Sequence, residues 1–226
     1  MNFIFSQTNS TAIVRAMKKI LIVDDHEVVR EGVKKILDEQ PGTVTFGEAS
    51  TASEAIRLAR EQDWDIAILD LSLGGRSGLE VLKELRQIRP QLLVLILSMH
   101  SEEQYARRAF KAGAIGYITK DSPRADLVKA INKVIEGGVY VSPSLAEQLV
   151  INLGSGTDRA PHESLSDREF EVMCLIASGK TVGEIADILS LSDRTISTYR
   201  ARILEKMRMK TSAELTHYAI QNKLVD

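Results

Sequence analysis

The chain contains little cysteine and histidine, with one cysteine, Cys174, and four histidines among 226 residues. A single cysteine excludes an intramolecular disulfide and a cysteine-rich zinc site, and the scattered histidines lack metal-ligand spacing. The sequence also lacks a run of about 18 apolar residues, which a helix needs to cross a bilayer. These absences predict a cytoplasmic protein without a membrane-spanning helix.

A large net charge is absent as well. The chain has 29 basic and 31 acidic residues, and its formal net charge is -2. A protein with this balance does not attract nucleic acid over its whole surface, so affinity for DNA would require a local basic surface. The length is sufficient for two domains, each with a hydrophobic core of its own.

The first 16 residues lack the features of a targeting segment. Their apolar trio Phe3 to Phe5 is too short for the core of a signal peptide, and no basic flank precedes it. We predict a disordered tail over 1–16. A strand-like segment follows Met17 directly, which makes Met17 a candidate start of the natural protein.

Residues 17–137 alternate short apolar runs with amphipathic stretches. Most runs are continuous, as is typical of strands covered on both faces: Ile20–Val23, Val44–Gly47, Ile66–Leu69, Leu92–Leu97 and Ile115–Ile118. Helical periodicity follows each run, over 27–39, 52–62, 78–88, 102–112 and 124–136. Five strand-helix units predict an α/β domain built on a five-stranded, doubly wound parallel sheet.

The second half has a different pattern. We predict a linker over 138–160, with a short helix at 142–152 and a flexible stretch at 154–158. Three capping-box pairs mark helix starts: Ser166 with Glu169, Thr181 with Glu184, and Thr211 with Glu214. Because no strand pattern follows residue 160, residues 161–226 are predicted to form a small all-α domain of four helices.

Polar groups stand at the carboxyl ends of the predicted strands, namely Asp24, Asp25, Asp70, Ser98 and Lys120. In an open parallel sheet, ligands bind at this edge. Three converging carboxylates stay ionised together only with a cation between them, and all-oxygen ligation favours Mg²⁺. A carboxylate beside Mg²⁺ can attack a phosphoryl group, while a lysine and a hydroxyl stabilise the phosphoryl oxygens. The pattern therefore indicates aspartyl-phosphate chemistry.

The segments VDDHE, ILDLSLGGRSG, LILS and GYITK, in this order, resemble the flavodoxin-like receiver domain of two-component response regulators. The resemblance implies that Asp70 is the phosphoacceptor. It implies a Mg²⁺ site formed by Asp24, Asp25, Asp70 and the backbone carbonyl of Ser72.

The same resemblance assigns the remaining receiver residues. Ser98 and Tyr117 would be the switch pair, and Lys120 would face the phosphate. Gly74 departs from the family, which usually has proline four residues after the phosphoacceptor, and it predicts a less rigid loop. His26 and His100 lie nearby in sequence, but they are not predicted as ligands because Mg²⁺ prefers oxygen.

Residues 181–207 predict a helix-turn-helix, with a short helix, a turn at 190–192 and a longer helix at 193–207. On a helical wheel Ile196, Ile203 and Met207 form one face, which is predicted to be core. The opposite face is mostly polar. Residues 194–210 include six basic residues and one acidic residue, a local net charge of +5 in a chain with a slight negative charge.

The motifs LSDRE, EIA, RTIS and ILEKM resemble the LuxR-type DNA-binding domain of the NarL/FixJ subfamily. The resemblance implies contacts to base edges by Ser197, Thr198 and Ala201. It implies contacts to phosphates by Arg194, Thr195, Arg202 and Lys206. Two departures are Ser190, which replaces the usual turn glycine, and Tyr199-Arg200, where the family often has histidine and an aliphatic residue. For Arg200, a structural salt bridge and a DNA contact both remain open.

Together these features favour a DNA-binding response regulator that a cognate histidine kinase phosphorylates and that pairs as a homodimer on inverted half-sites of double-stranded DNA. One alternative is a phosphohydrolase of the haloacid dehalogenase type, but such enzymes need an acid where this chain has Ser72. Another is a constitutive DNA-binding protein whose receiver-like domain only dimerises. The complete acidic set opposes that alternative, whereas Gly74 keeps it open. Cys174 lies among apolar residues and is predicted to be buried.

Overall fold

A computed structural model of the chain describes residues 18–147 and 160–225. The predicted tail at 1–16, the candidate start Met17 and the flexible stretch at 154–158 lie outside these residues. From Lys18 to Ile135, strands and helices alternate as β1 (Lys18–Val23), α1 (Glu27–Asp38), β2 (Val44–Ala49), α2 (Ala52–Glu61), β3 (Ile66–Leu69), α3 (Gly78–Ile88), β4 (Leu93–Ser98), α4 (Glu102–Ala112), β5 (Gly116–Thr119) and α5 (Arg124–Ile135).

The five strands form one parallel sheet in the order β2-β1-β3-β4-β5. Alternate residues of β1 enter different cores: Leu21 belongs to a cluster that includes residues of α2, α3 and α4, whereas Ile20 belongs to one that includes residues of α1 and α5. Helices therefore cover both faces, and the predicted doubly wound sheet is confirmed. β1 begins at Lys18, before the apolar run, because Lys18 and Lys19 pair through their backbones with β2.

The carboxyl-terminal part is helical within the described residues. A 3₁₀ turn (Pro161–Ser164) precedes α6 (Asp167–Ala177), α7 (Val182–Leu189), α8 (Asp193–Met207) and α9 (Ser212–Gln221). Of the predicted helix at 142–152, residue 142 precedes the helix, residues 143–147 are helical, and 148–152 lie outside the described ranges. None of the helices in the described ranges is long and apolar enough to cross a membrane.

Two of the three predicted capping boxes form completely. Ser166 and Thr181 each accept from the backbone of the glutamate three residues later, whose side chain returns the bond. At α9, Thr211 caps the helix, but the Glu214 carboxylate accepts instead from the Lys210 backbone and the Thr211 hydroxyl. The start of each of these three helices follows from its capping residue.

The turn between α7 and α8 places Ser190 in the left-handed region, with φ 52° and ψ 47°. This conformation costs an L-residue other than glycine about 1–2 kcal/mol. We expect Ser190→Gly to raise the free energy of unfolding by about 0.5–1 kcal/mol, after allowing for the greater freedom of glycine in the unfolded chain. Urea unfolding followed by far-UV circular dichroism measures the change. Ser190→Val is the matched control and should be destabilising, whereas a less stable glycine variant would contradict the strain.

Candidate functional site

The ends of β1 and β3 bring three carboxylates together. Asp24 and Asp25 follow β1, Asp70 follows β3, and the Asp70 amide donates to the Val23 carbonyl at 2.9 Å. Ligand atoms of these three residues and of His26 all lie within 4.8 Å of one another. Asp24 and Asp70 are buried, whereas Asp25 is exposed. The structure therefore forms an acidic cluster at the edge of the sheet where the sequence predicts it.

Lys120 supplies the positive charge within this cluster. Its Nζ lies 2.6 Å from Asp24 Oδ2 and 2.7 Å from Asp70 Oδ2. Burial lowers the pKa of Lys120, but the hydrogen bonds to Asp24 and Asp70 outweigh this effect and the pKa is raised. The ammonium therefore stays charged, and it lies between two of the carboxylates, where the sequence predicts a cation.

One oxygen of the cluster is left without a partner. Asp70 Oδ1 is buried and accepts no hydrogen bond from any residue that the structure describes. A buried carboxylate oxygen in this state is costly unless a cation or a donor reaches it. The neighbouring metal-ligating atoms are carboxylate oxygens, which a hard cation such as Mg²⁺ prefers as ligands. His26 Nδ1 lies 2.7 Å from Asp25 Oδ1, so its imidazole pairs with the carboxylate.

The residues predicted as the switch pair meet at His100. Ser98 and Tyr117 are both fully buried. The His100 amide lies 3.4 Å from Ser98 Oγ, and the Tyr117 hydroxyl donates to the His100 carbonyl at 2.9 Å. His100 Nε2 lies 3.1 Å from Ser72 Oγ. His100 thus contacts three predicted site residues. Its position in the sequence does not predict these contacts.

The loop after Asp70 has a left-handed backbone at two adjacent glycines. Gly74 has φ 51° and Gly75 has φ 83°. Proline fixes φ near about −65° and could not occupy position 74 in this conformation. Gly74 therefore permits a turn that the usual proline forbids.

The α8 helix presents a polar face to solvent. Ile196, Ile203 and Met207 are buried as predicted. Ser197, Thr198 and Ala201, the predicted base-contacting residues, are all exposed.

The predicted phosphate-contacting residues differ in their surroundings. Arg194, Thr195 and Arg202 line one shallow depression. Lys206 is ion-paired, with its Nζ 2.6 Å from Glu169 Oε2. Arg200 Nε donates to Ser212 Oγ at 2.9 Å and so links α8 to α9. Lys206 and Arg200 are therefore less available to a ligand than the other basic residues of this surface.

Comparison with protein families gives two matches. Residues 20–132 match the response regulator receiver domain, and residues 163–219 match the bacterial regulatory proteins of the luxR family. The two matches cover the acidic cluster and the exposed face of α8, respectively.

Full-length relatives share both parts. The response regulator GacA of Pseudomonas aeruginosa is 35% identical over 93% of this chain and 99% of its own length. The response regulator UvrY of Escherichia coli is 34% identical over 92% of this chain and 96% of its own length. Among solved structures, RcsB of Salmonella enterica serovar Typhimurium, bound to promoter rprA in the presence of the phosphomimetic BeF3-, has a TM-score of 0.61 at 26% identity, over 89% of this chain and 98% of that one.

Proposed function

The chain belongs to the DNA-binding response regulators of two-component systems, and from this premise we propose that Asp70 accepts a phosphoryl group from a cognate histidine kinase. The unpartnered Oδ1 of Asp70 is the observation that carries the proposal. It is a buried carboxylate oxygen within a cluster of oxygen donors and beside a lysine. Incubation with acetyl phosphate followed by intact mass measurement tests it, with a single added phosphoryl group expected only when Mg²⁺ is present.

Four groups would hold the magnesium ion. They are the carboxylates of Asp24, Asp25 and Asp70 and the backbone carbonyl of Ser72. When bound, Mg²⁺ neutralises charge that develops on the phosphoryl oxygens. The other oxygen of Asp70, Oδ2, pairs with Lys120 in the structure and would take the phosphoryl group.

The protein's own residues carry the transfer. An Asp70 carboxylate oxygen attacks phosphorus, the new O–P bond forms, and the bond from phosphorus to the donor's nitrogen breaks, leaving its electron pair on the donor histidine. Lys120 lies close enough to Asp70 to pair with the transferred phosphoryl oxygens. The Ser98 hydroxyl donates to the same group, and Tyr117 follows the shift of the backbone after Ser98.

The exposed polar face of α8 supports a role in binding DNA. Ser197, Thr198 and Ala201 would contact base edges in the major groove, and Arg194, Thr195, Arg202 and Lys206 would contact phosphates. A single recognition helix makes few base contacts, so we propose that a phosphorylated homodimer binds two inverted half-sites of double-stranded DNA. Lys206 would first have to leave Glu169.

Substitutions on α8 should separate base contacts from phosphate contacts. We expect Thr198→Ala to change the base preference at one position by about 1–3 kcal/mol, because Thr198 is exposed on the groove face. Arg202→Ala should weaken binding to all sequences alike. It should also reduce the steepness with which the logarithm of the binding constant falls with the logarithm of the salt concentration, by about 1. Binding to a library of operator variants at several salt concentrations measures both effects. Identical profiles for the two variants would contradict the placement of α8.

A further inference from the structure

Arg30 on α1 connects the acidic cluster to the edge strand of the sheet. Its Nη1 donates to the backbone carbonyl of Asp24 at 2.8 Å, and its Nε donates to Glu48 Oε2 of β2 at 3.1 Å. Only 14% of the Arg30 side chain is exposed. One guanidinium thus holds two acceptors in a fixed geometry, which a planar set of donors permits and a single ammonium does not.

The Asp24 carbonyl is not one of the groups that would hold the magnesium ion, but it belongs to the same peptide unit as the Asp25 amide. Because a peptide unit is planar, a donor that fixes the Asp24 carbonyl also restricts the direction in which the chain presents Asp25. The Asp24 amide donates to the Ala49 carbonyl at 3.1 Å. The backbone after β1 is therefore anchored to β2 directly at Ala49 and, through Arg30, at Glu48.

The two aspartates after β1 differ in how firmly their own side chains are held. The Asp24 carboxylate is buried and accepts from Lys120 and from the His26 amide. The Asp25 side chain is 35% exposed and pairs with the His26 imidazole, which is itself 67% exposed. An exposed pair of this kind contributes little. The direction of Asp25 therefore depends mainly on the backbone that Arg30 holds.

The start of α1 gives this backbone no capping side chain. His26 is the N-cap residue, and its side chain makes no capping hydrogen bond. The Arg30 amide donates to the His26 carbonyl at 3.3 Å, in the first turn of the helix. Arg30 therefore acts on the loop twice, through its amide at His26 and through its guanidinium at Asp24.

We propose that Arg30 is a positioning residue for Mg²⁺, which orients Asp25 toward the ion through the Asp24 carbonyl while Glu48 holds the guanidinium in place. The inference rests on the proposed function, in which Asp25 is a ligand of Mg²⁺. Arg30 itself contacts neither the ion nor the phosphoryl group. Loss of a residue that orients a metal ligand typically weakens metal binding by about 10–100-fold.

The charge of Arg30 and its positioning role have opposite effects on Mg²⁺ affinity. A guanidinium near the acidic cluster repels a divalent cation, so removal of the charge alone should tighten Mg²⁺ binding. Loss of the orientation of Asp25 should weaken it. The sign of the change in affinity therefore distinguishes the two roles.

Isothermal titration calorimetry of the full-length protein with magnesium chloride measures this affinity. We expect Arg30→Met, which keeps the aliphatic stem but loses the donors, to weaken Mg²⁺ binding by about 10-fold. Arg30→Lys keeps the charge but reaches one acceptor at a time, so a loss of about 3-fold is expected.

Lys34→Met is the matched control for both variants. Lys34 lies on the same helix and also pairs with Glu48, with its Nζ 2.6 Å from Glu48 Oε1, whereas the Asp24 carbonyl accepts from Arg30. The control thus removes a neighbouring positive charge and a bond to the same glutamate. We expect it to change the Mg²⁺ affinity by less than about 2-fold.

Labelling by acetyl phosphate gives a second readout. In Arg30→Met the Mg²⁺ concentration for half-maximal labelling should rise by about 10-fold, whereas the labelling rate at saturating Mg²⁺ should stay within about 2-fold of the wild-type rate. Asp70 and Lys120 are unchanged in this variant. A shift in the Mg²⁺ dependence at a constant maximal rate is expected from a misdirected metal ligand and not from a general loss of structure.

The outcomes separate this inference from the proposed function. Unchanged or tighter Mg²⁺ binding in the Arg30 variants would overturn the inference, and so would an equal loss of affinity in Lys34→Met. Failure of the wild-type protein to bind Mg²⁺ or to be labelled at Asp70 would overturn the proposed function instead. Far-UV circular dichroism and the urea midpoint without Mg²⁺ show whether each variant is folded. If Arg30→Met does not fold, Arg30→Lys decides the inference by the same criterion.

Discussion

Replacing Asp70 with asparagine is expected to abolish phosphorylation by acetyl phosphate and by the kinase. Asparagine keeps the size of the side chain but removes the anionic oxygen that attacks phosphorus. The expected loss is on the order of 10³-fold or more, as is usual when a covalent nucleophile is removed. Intact mass after incubation with the phosphodonor and Mg²⁺ measures the effect, and undiminished labelling would place the nucleophile elsewhere.

Asp25→Asn is the informative control for this experiment. Asp25 belongs to the same cluster but is exposed and is not the predicted nucleophile. Its loss should weaken Mg²⁺ binding, so labelling should recover at higher Mg²⁺ concentration. The Asp70 variant should remain unlabelled at every Mg²⁺ concentration.

Replacing Lys120 with alanine is expected to have a large effect whose direction depends on Mg²⁺. Without the ammonium, Asp24 and Asp70 lose the charge that neutralises them, and the free energy of unfolding should fall by on the order of 3 kcal/mol. Mg²⁺ should restore stability, and it should bind at least as tightly as in the wild-type protein because the ammonium no longer competes with it. The response to phosphorylation should nevertheless be lost, since Lys120 would pair with the phosphoryl group.

Two measurements check this prediction. Urea unfolding with and without Mg²⁺ gives the stability, and isothermal titration calorimetry gives the Mg²⁺ affinity. Lys35→Ala, which removes an exposed lysine on α1, should change neither quantity. Weaker Mg²⁺ binding in Lys120→Ala would contradict the proposed role of the lysine as an internal counter-charge.

The sequence predicts the receiver fold well because continuous apolar runs leave few alternatives to buried parallel strands. The position of Asp24, Asp25 and Asp70 follows from the same pattern, since the carboxyl ends of parallel strands meet at one edge. The core face of α8 can also be predicted from the sequence, because helical periodicity alone places Ile203 on the buried side.

Other features depend on contacts between residues distant in sequence. The sequence predicts that Lys120 lies at the same edge of the sheet, but it does not indicate that the ammonium bridges Asp24 and Asp70, because that contact depends on the packed positions of the side chains. The stacking of His100 on Tyr105 requires the packed positions of β4 and α4. The bond from Arg168 to the Gly75 carbonyl joins two domains, and local pattern carries no information on such a contact.

The comparisons narrow the alternatives that the sequence leaves open. The matched relatives are response regulators, so the chain is a transcriptional regulator and not an enzyme of the dehalogenase type. A constitutive DNA-binding protein would use its receiver for dimerisation only. The buried, unpartnered oxygen of Asp70 argues against this alternative. Such an oxygen costs stability, and dimerisation alone does not require it.

The affinity of the full-length protein for its operator, with and without beryllofluoride in the presence of Mg²⁺, tests the central claim most directly. DNA selection first identifies the operator, which is then offered as two inverted half-sites about one helical turn apart or as a single half-site. Phosphorylation that permits pairing should raise affinity for the double site by about 10-fold or more and leave the single half-site nearly unchanged. Equal affinity for the double site with and without beryllofluoride would contradict control of DNA binding by Asp70.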